Sequence, residues 1–205
     1  MLLRLHILRR SLELKKECKD ITGTLNEALK LPYLKDTKVI FTWLLDGFSN
    51  RPGAMSVCRG LIAVNAEWAA RLVLFDDEEV KEAFMFTMGH EMTHQAGDCS
   101  FFGLSGKEKR FVNWVGEVHA DFGGAELAFD GKVSKALTAV RYRANQRKSD
   151  KDSQAHPSWK RREEYLSYKR FDKELIERIA GDTGCDNGEL IGKVSEFYSP
   201  IILEE

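Results

Sequence analysis

The chain has 205 residues, 43% of them hydrophobic and 31% charged, which provides apolar material for one globular domain and excludes disorder as its overall state. Its 31 basic and 32 acidic residues leave a formal net charge of -1, so nothing electrostatic points to nucleic acid or an anionic membrane as the main partner. No run of about twenty apolar residues encodes a membrane-spanning helix, and the scattered Cys18, Cys58, Cys99 and Cys185 form no CxxC pair, as expected of a reduced, cytoplasmic chain.

In chain order, the opening MLLRLHILRR lacks a small-residue cleavage site and reads as the first turns of an amphipathic helix rather than a signal peptide. Leu5, Ile7, Leu8, Leu12, Leu14, Ile21, Leu25 and Leu29 recur at mostly three- and four-residue spacings, predicting one or two helices closed by Pro32. Val39 to Leu45 is short, β-branched and aromatic, bounded by Asp46-Gly47, and predicts a buried strand. A second strand is expected over Met55 to Val64, with Gly60 as a turn or bulge. Ala66 to Leu74 reads as helical. The acidic run Asp76 to Glu79 then suits the first turn of a helix that continues to Ala96, stops at Gly97 and buries one face through Val80, Ala83, Phe84, Met88 and Met92. Further helices are expected over Lys109 to Phe129, ended by Asp130-Gly131, and over Val133 to Gln146. Lys148 to Gln154 reads as a flexible surface loop, Trp159 to Lys169 and Asp172 to Ala180 as helices, and the final segment carries no clear pattern.

The stretch Gly89-His90-Glu91-Met92-Thr93-His94 places HExxH on one of these helices. Residues four apart share a helix face, so both imidazoles reach one ion while Glu91 lies beside them. That is the arrangement for zinc hydrolysis: neutral imidazoles bind Zn²⁺, a water takes an open position, and a neighbouring carboxylate accepts its proton. Glu117 on the next helix is the expected third ligand, and Asp121, four residues on, is placed to accept a hydrogen bond from the second nitrogen of a ligating histidine. His119, two residues from Glu117, points away from that face and reads as structural or solvent-facing, and Cys99 as structural.

HExxH followed by Glu117-Val118-His119-Ala120-Asp121 resembles the gluzincin peptidases related to the heat-shock membrane protease HtpX and the CAAX prenyl endopeptidases. His156-Pro157-Ser158, with Arg162 six residues after the histidine, is similar to the HP segment that follows the glutamate ligand in that family, and the order of elements agrees. Leu61 to Asn65, leading through an acidic turn into the HExxH helix, resembles the family's strand and helix entry. The resemblance covers Val39 to Leu166. It implies a single zincin-like domain of the α+β class, mostly helical, with a small sheet beside the HExxH helix and a catalytic core over 38–169; the N-terminal helical region over 1–34 and the C-terminal extension over 170–205 have no counterpart in the family. It also implies Zn²⁺ held by His90, His94 and Glu117, Glu91 as general base, and His156 and Arg162 as candidates for stabilising the oxyanion. The family's transmembrane helices have no counterpart here, so its membrane substrates are not carried over.

The expected activity is therefore peptide-bond hydrolysis on a peptide or protein substrate, with the strand over Met55 to Val64 offering an edge for an extended backbone. Two other readings are a regulator-cleaving peptidase of the phage and bacterial repressor-cleaving type, against which the HP segment argues, and a non-catalytic zinc-stabilised interaction module, against which Glu91 argues. The basic cluster Arg141, Arg143, Arg147, Lys148, Lys160, Arg161 and Arg162 reads as a solvated helix face, and Trp43, Trp68, Trp114 and Trp159 as core or interface residues.

Overall fold

The computed structural model describes residues 37–42, 54–58, 60–65, 68, 72, 77–146 and 150–205. The expected N-terminal helices, the end of the first expected strand and all but two residues of the expected helix over 66–74 lie outside the described residues, as do Trp43, Arg147 and Lys148. What is described is mostly helical with small sheets, an α+β fold.

Three strands lead into the helices: β1 (Lys38–Thr42), β2 (Ala54–Cys58) and β3 (Leu61–Asn65). Their order is β1-β3-β2, with β1 parallel and β2 antiparallel to β3. The strand region expected over Met55 to Val64 is a hairpin, with Gly60 as its turn. Gly60, at φ 80°, adopts a left-handed conformation that costs a residue without Cβ little, and the chain reverses there. Its N–H donates to Gln95 Oε1 at 2.9 Å, tying the hairpin to the first long helix. The reversal also corrects the expected substrate edge. Val64 and Ala63 belong to the central strand, paired on both sides, whereas β2 pairs only with β3 among the described residues and packs beside that helix.

Helix α1 (Glu78–Ala96) starts where the acidic run predicts: Asp77 caps it by accepting from the N–H groups of Glu79 and Val80, and Gly97 ends it at φ 125°. Every residue from Phe86 to Glu91 is buried, so α1 is covered on more than the single face its apolar spacing suggests. The reason is its central position between β2, α2 (Gly106–Phe129) and α3 (Val133–Asn145). Helix α2 begins three residues earlier than expected because Ser105 and Glu108 form a reciprocal capping box. Asp130, in the left-handed region at φ 52°, closes it.

Helix α4 (Trp159–Leu166) follows an irregular stretch from 150 to 158, and the chain continues through β4 (Arg170–Phe171), α5 (Lys173–Thr183), α6 (Gly188–Phe197) and β5 (Ile201–Ile202). The segment without a sequence pattern is therefore a helix and a short strand, β5, which pairs antiparallel with β4. Buried residues form one cluster running from Val39 to Leu203.

Helices α1 and α2 approach each other very closely. A Cβ on Gly124 would lie 3.0 Å from the backbone of both His90 and Phe86, and one on Gly89 would lie 3.0 Å from the Gly124 backbone. One on Gly123 would overlap Thr93 Oγ1 at 2.2 Å. The two helices therefore touch main chain to main chain, and backbone atoms in the middle of a packed helix pair have little room to retreat. Intrinsic helix propensity alone would make Gly124→Ala stabilising by about 1 kcal/mol. Overpacking against backbone costs about 1–3 kcal/mol, so urea unfolding of Gly124→Ala is expected to show a net loss. Gly181→Ala, where an added Cβ meets nothing within 4 Å, is expected to gain a few tenths to about 1 kcal/mol.

Candidate metal centre

His90 and His94 lie one turn apart on α1 with their rings edge to face, centroids 4.6 Å apart. Their Nε2 atoms approach to 3.1 Å. Glu117, on the α2 face opposite, places Oε2 at 3.5 Å from His90 Nε2 and Oε1 at 3.6 Å from His94 Nε2. The three candidate ligand atoms all lie within 4.8 Å of one another, so this group can hold a metal ion.

The outer nitrogen of each imidazole faces a carboxylate. His90 Nδ1 is 2.9 Å from Asp121 Oδ1, and His94 Nδ1 is 2.9 and 3.1 Å from the two oxygens of Asp98. Each Nδ1–H therefore donates outward, which leaves both Nε2 lone pairs pointing at the shared space. Two lone pairs at that separation repel unless a cation or a proton lies between them. Ligands about 2.0–2.1 Å from a tetrahedral zinc stand roughly 3.3 Å from one another, close to the three separations found here. Donor set, tautomers and spacing all fit a zinc-sized ion.

The two outer carboxylates sit in different surroundings. Asp121 is wholly buried and is held by both Nε and Nη2 of Arg162, the Nε contact at 2.7 Å. Arg162 is itself buried and stacks on Trp159, its guanidinium carbon 4.0 Å from the ring centroid. Burial pushes the Asp121 pKa up, but the charge and hydrogen bonds of Arg162 and the bond to His90 outweigh it and hold the carboxyl below its usual range. Burial likewise pulls the pKa of His90 down, while Asp121 and Glu117 carry it up to about 9. Glu117, despite burial that raises its pKa, is held well below the usual carboxylate range by His156, His90 and the Arg162 charge. A metal held here would take the place of the His90 proton, beside the carboxylates of Glu117 and Asp121 and the Arg162 guanidinium.

Of the residues singled out by sequence, the fold brings His90, His94, Glu117, Asp121, His156 and Arg162 into one cluster. Glu91 is buried on the same helix beside His90. His156 remains 61% exposed, with Nδ1 at 3.0 Å from Glu117 Oε1. Arg162, expected as a candidate for stabilising the oxyanion, pairs with Asp121 through Nε and Nη2, and its Nη1 lies 3.9 Å from Glu117 Oε2. His119 is neither solvent-facing nor a ligand: it packs against Tyr198 and Phe171, and burial lowers its pKa to about 4, so the ring is neutral.

The stretch read as a flexible loop is pinned where it is described. Asp150 accepts from the N–H groups of Trp159 and Lys160, Asp152 from Ser158 N–H and from Arg161, and Ser153 C=O from the Trp114 indole at 2.9 Å. These bonds set the height at which His156 stands over Glu117. Sequence reasoning missed Asp98, whose only local signal is a carboxylate four residues after His94, just beyond the helix end. It also missed Gly89, Gly123 and Gly124, although a glycine pair inside a helix usually has a packing reason.

Comparison with protein-family models, with curated proteins and with solved structures found no match. The site therefore stands on its own geometry.

Removing one partner of a buried ion pair leaves the other charge without compensation, at a cost of about 3–5 kcal/mol. Arg162→Met, which keeps much of the volume stacked on Trp159, is expected to lower the unfolding free energy by about that much. Denaturant unfolding followed by circular dichroism measures it, and a change under 1 kcal/mol would show that Asp121 does not depend on Arg162.

Proposed function

We propose that this chain is a zinc-dependent peptidase that hydrolyses peptide bonds, with His90, His94 and Glu117 holding the metal and Glu91 as general base. The observation that carries the reading is the convergence of three protein ligands, and only three among the described residues, beside a buried glutamate on the ligating helix. A structural zinc site ordinarily has four protein ligands, whereas a catalytic one keeps a position open. The order HExxH, Glu117, Asp121 and the HP segment, similar to that of the gluzincin peptidases, supports the same reading.

Zinc, when bound, supplies Lewis acidity, lowering the pKa of a water and polarising a carbonyl. The chain's own groups do the rest. Glu91 accepts the proton of the attacking water and returns it to the leaving amine. Asp121 and Asp98 keep the two imidazoles in the tautomer that presents Nε2. His156, exposed beside Glu117 with Nδ1 against its carboxylate, donates from its other ring nitrogen to the developing oxyanion in this reading. The side of β2 that pairs with no strand among the described residues is where an extended peptide or unfolded protein segment pairs its backbone. No helix among the described residues is long and apolar enough to cross a membrane.

Elemental analysis of the wild type, Glu91→Gln and Glu117→Ala, with hydrolysis of an unfolded casein-like substrate on the same samples, tests these roles. One zinc per chain is expected in the wild type and in Glu91→Gln, and little in Glu117→Ala. Hydrolysis is expected to fall about 10²–10⁴-fold or more in Glu91→Gln, as for loss of a general base, and to vanish in Glu117→Ala. Iron in place of zinc, which a two-histidine, one-carboxylate set also accommodates, or no metal after reconstitution, would overturn the proposal.

A further inference from the structure

The two histidines have unequal support. His90 leans on Asp121, a buried carboxylate in the middle of α2 that is clamped by Arg162. His94 leans on Asp98, whose side chain is 44% exposed and which follows the end of α1 in a stretch without regular structure. An exposed carboxylate on an unsupported loop would trade its imidazole partner for water. Something must hold that loop.

The contact that does so comes from the C-terminal segment. The backbone N–H of Cys99, the residue after Asp98, donates to Tyr198 Oη at 3.2 Å, and the buried Cys99 thiol lies against the same hydroxyl. The Tyr198 ring is set in place by His119 at 4.4 Å, Phe171 at 5.9 Å and Phe197 at 4.9 Å between centroids. Gly116, adjacent to the ligand Glu117, makes the room: a Cβ there would stand 3.4 Å from Tyr198 Oη and 3.5 Å from Asp98 Oδ1. The hydroxyl and the carboxylate thus converge over one bare turn of α2.

We infer that Tyr198 is a positioning residue of the metal centre: its hydroxyl fixes the Asp98–Cys99 turn and thereby holds Asp98 against His94 Nδ1. The C-terminal segment is in this way a functional part of the site. The inference rests on the reading of His90, His94 and Glu117 as metal ligands. It requires that loss of the hydroxyl weaken metal binding through Asp98 and not through general loosening of the fold.

Zinc affinity, measured by competition with a chromophoric chelator, is therefore compared among the wild type, Tyr198→Phe, Asp98→Asn and the double variant, alongside thermal unfolding of the metal-free proteins. Phenylalanine keeps the ring contacts and deletes only the hydroxyl. Loss of a carboxylate that orients a ligating histidine typically weakens binding 10–100-fold. Asp98→Asn is expected in that range, Tyr198→Phe at roughly 3–10-fold, and the double variant no weaker than Asp98→Asn alone, the signature of two residues acting through one path. Tyr198→Phe binding as tightly as the wild type, or a lower metal-free melting temperature with unchanged zinc affinity, would overturn the inference while leaving the ligand set standing. A Tyr198→Phe deficit that multiplies in full with that of Asp98→Asn would overturn it as well. A wild type that binds no zinc would overturn the site reading itself, and the inference with it.

Discussion

The bare contact between α1 and α2 is the constraint on which everything else depends. Two helices that meet through side chains lie about 8–10 Å apart, and a ligand set split between them must bridge that gap. Here Gly89, Gly123 and Gly124 remove the side chains at the crossing, so the backbones meet and the turn bearing Glu117 comes down on the turn bearing His90 and His94. A short glutamate side chain then reaches both imidazoles. The same proximity brings Asp121 against His90 and leaves Thr93 against Gly123, its hydroxyl satisfied by the Gly89 carbonyl at 2.9 Å.

Bringing so many charges together in a buried place is costly, and the surroundings show how the cost is offset. Asp121 has Arg162, Arg162 has Asp121 and the face of Trp159, and the Arg143 guanidinium lies 5.3 Å from the centroid of that same ring. A buried ion pair adds little net stability over an apolar core, because desolvation cancels most of the attraction. What it supplies here is geometry. An ionised, immobile carboxylate behind His90 keeps one imidazole nitrogen occupied and the other free, and that is a requirement of metal binding rather than of folding.

Local patterns were legible wherever local physics sets the structure. Asp77 and Gly97 bound α1, Asp130-Gly131 ends α2 and Asp172 caps α5, because capping is satisfied by residues a few positions away. The ligand pair four apart, and the Glu117–Asp121 pair four apart, follow from helix periodicity. At Gly60 the sequence allows a turn or a bulge, and only the pairing of β2 with β3 selects the turn, because alternation does not register a reversal of direction. The C-terminal helix α6 packs on α5, β5 pairs with β4, and Glu204 N–H donates to the Gly131 carbonyl at 2.8 Å, so this segment is held by partners outside it that a local pattern does not record.

What the sequence determined by itself is therefore the pair of helices, their caps and the faces carrying His90, His94, Glu117 and Asp121, since a helix of known phase places residues three and four apart without help from the rest of the chain. Only the tertiary structure decided how closely those helices cross, that Arg162 supports Asp121, that β3 and not β2 is the central strand of the described sheet, and that Asp98 and Tyr198 support His94. Each of these depends on contacts between residues distant in the chain. Such contacts are selected by which surfaces can be buried together, and periodicity along the sequence carries no record of that choice.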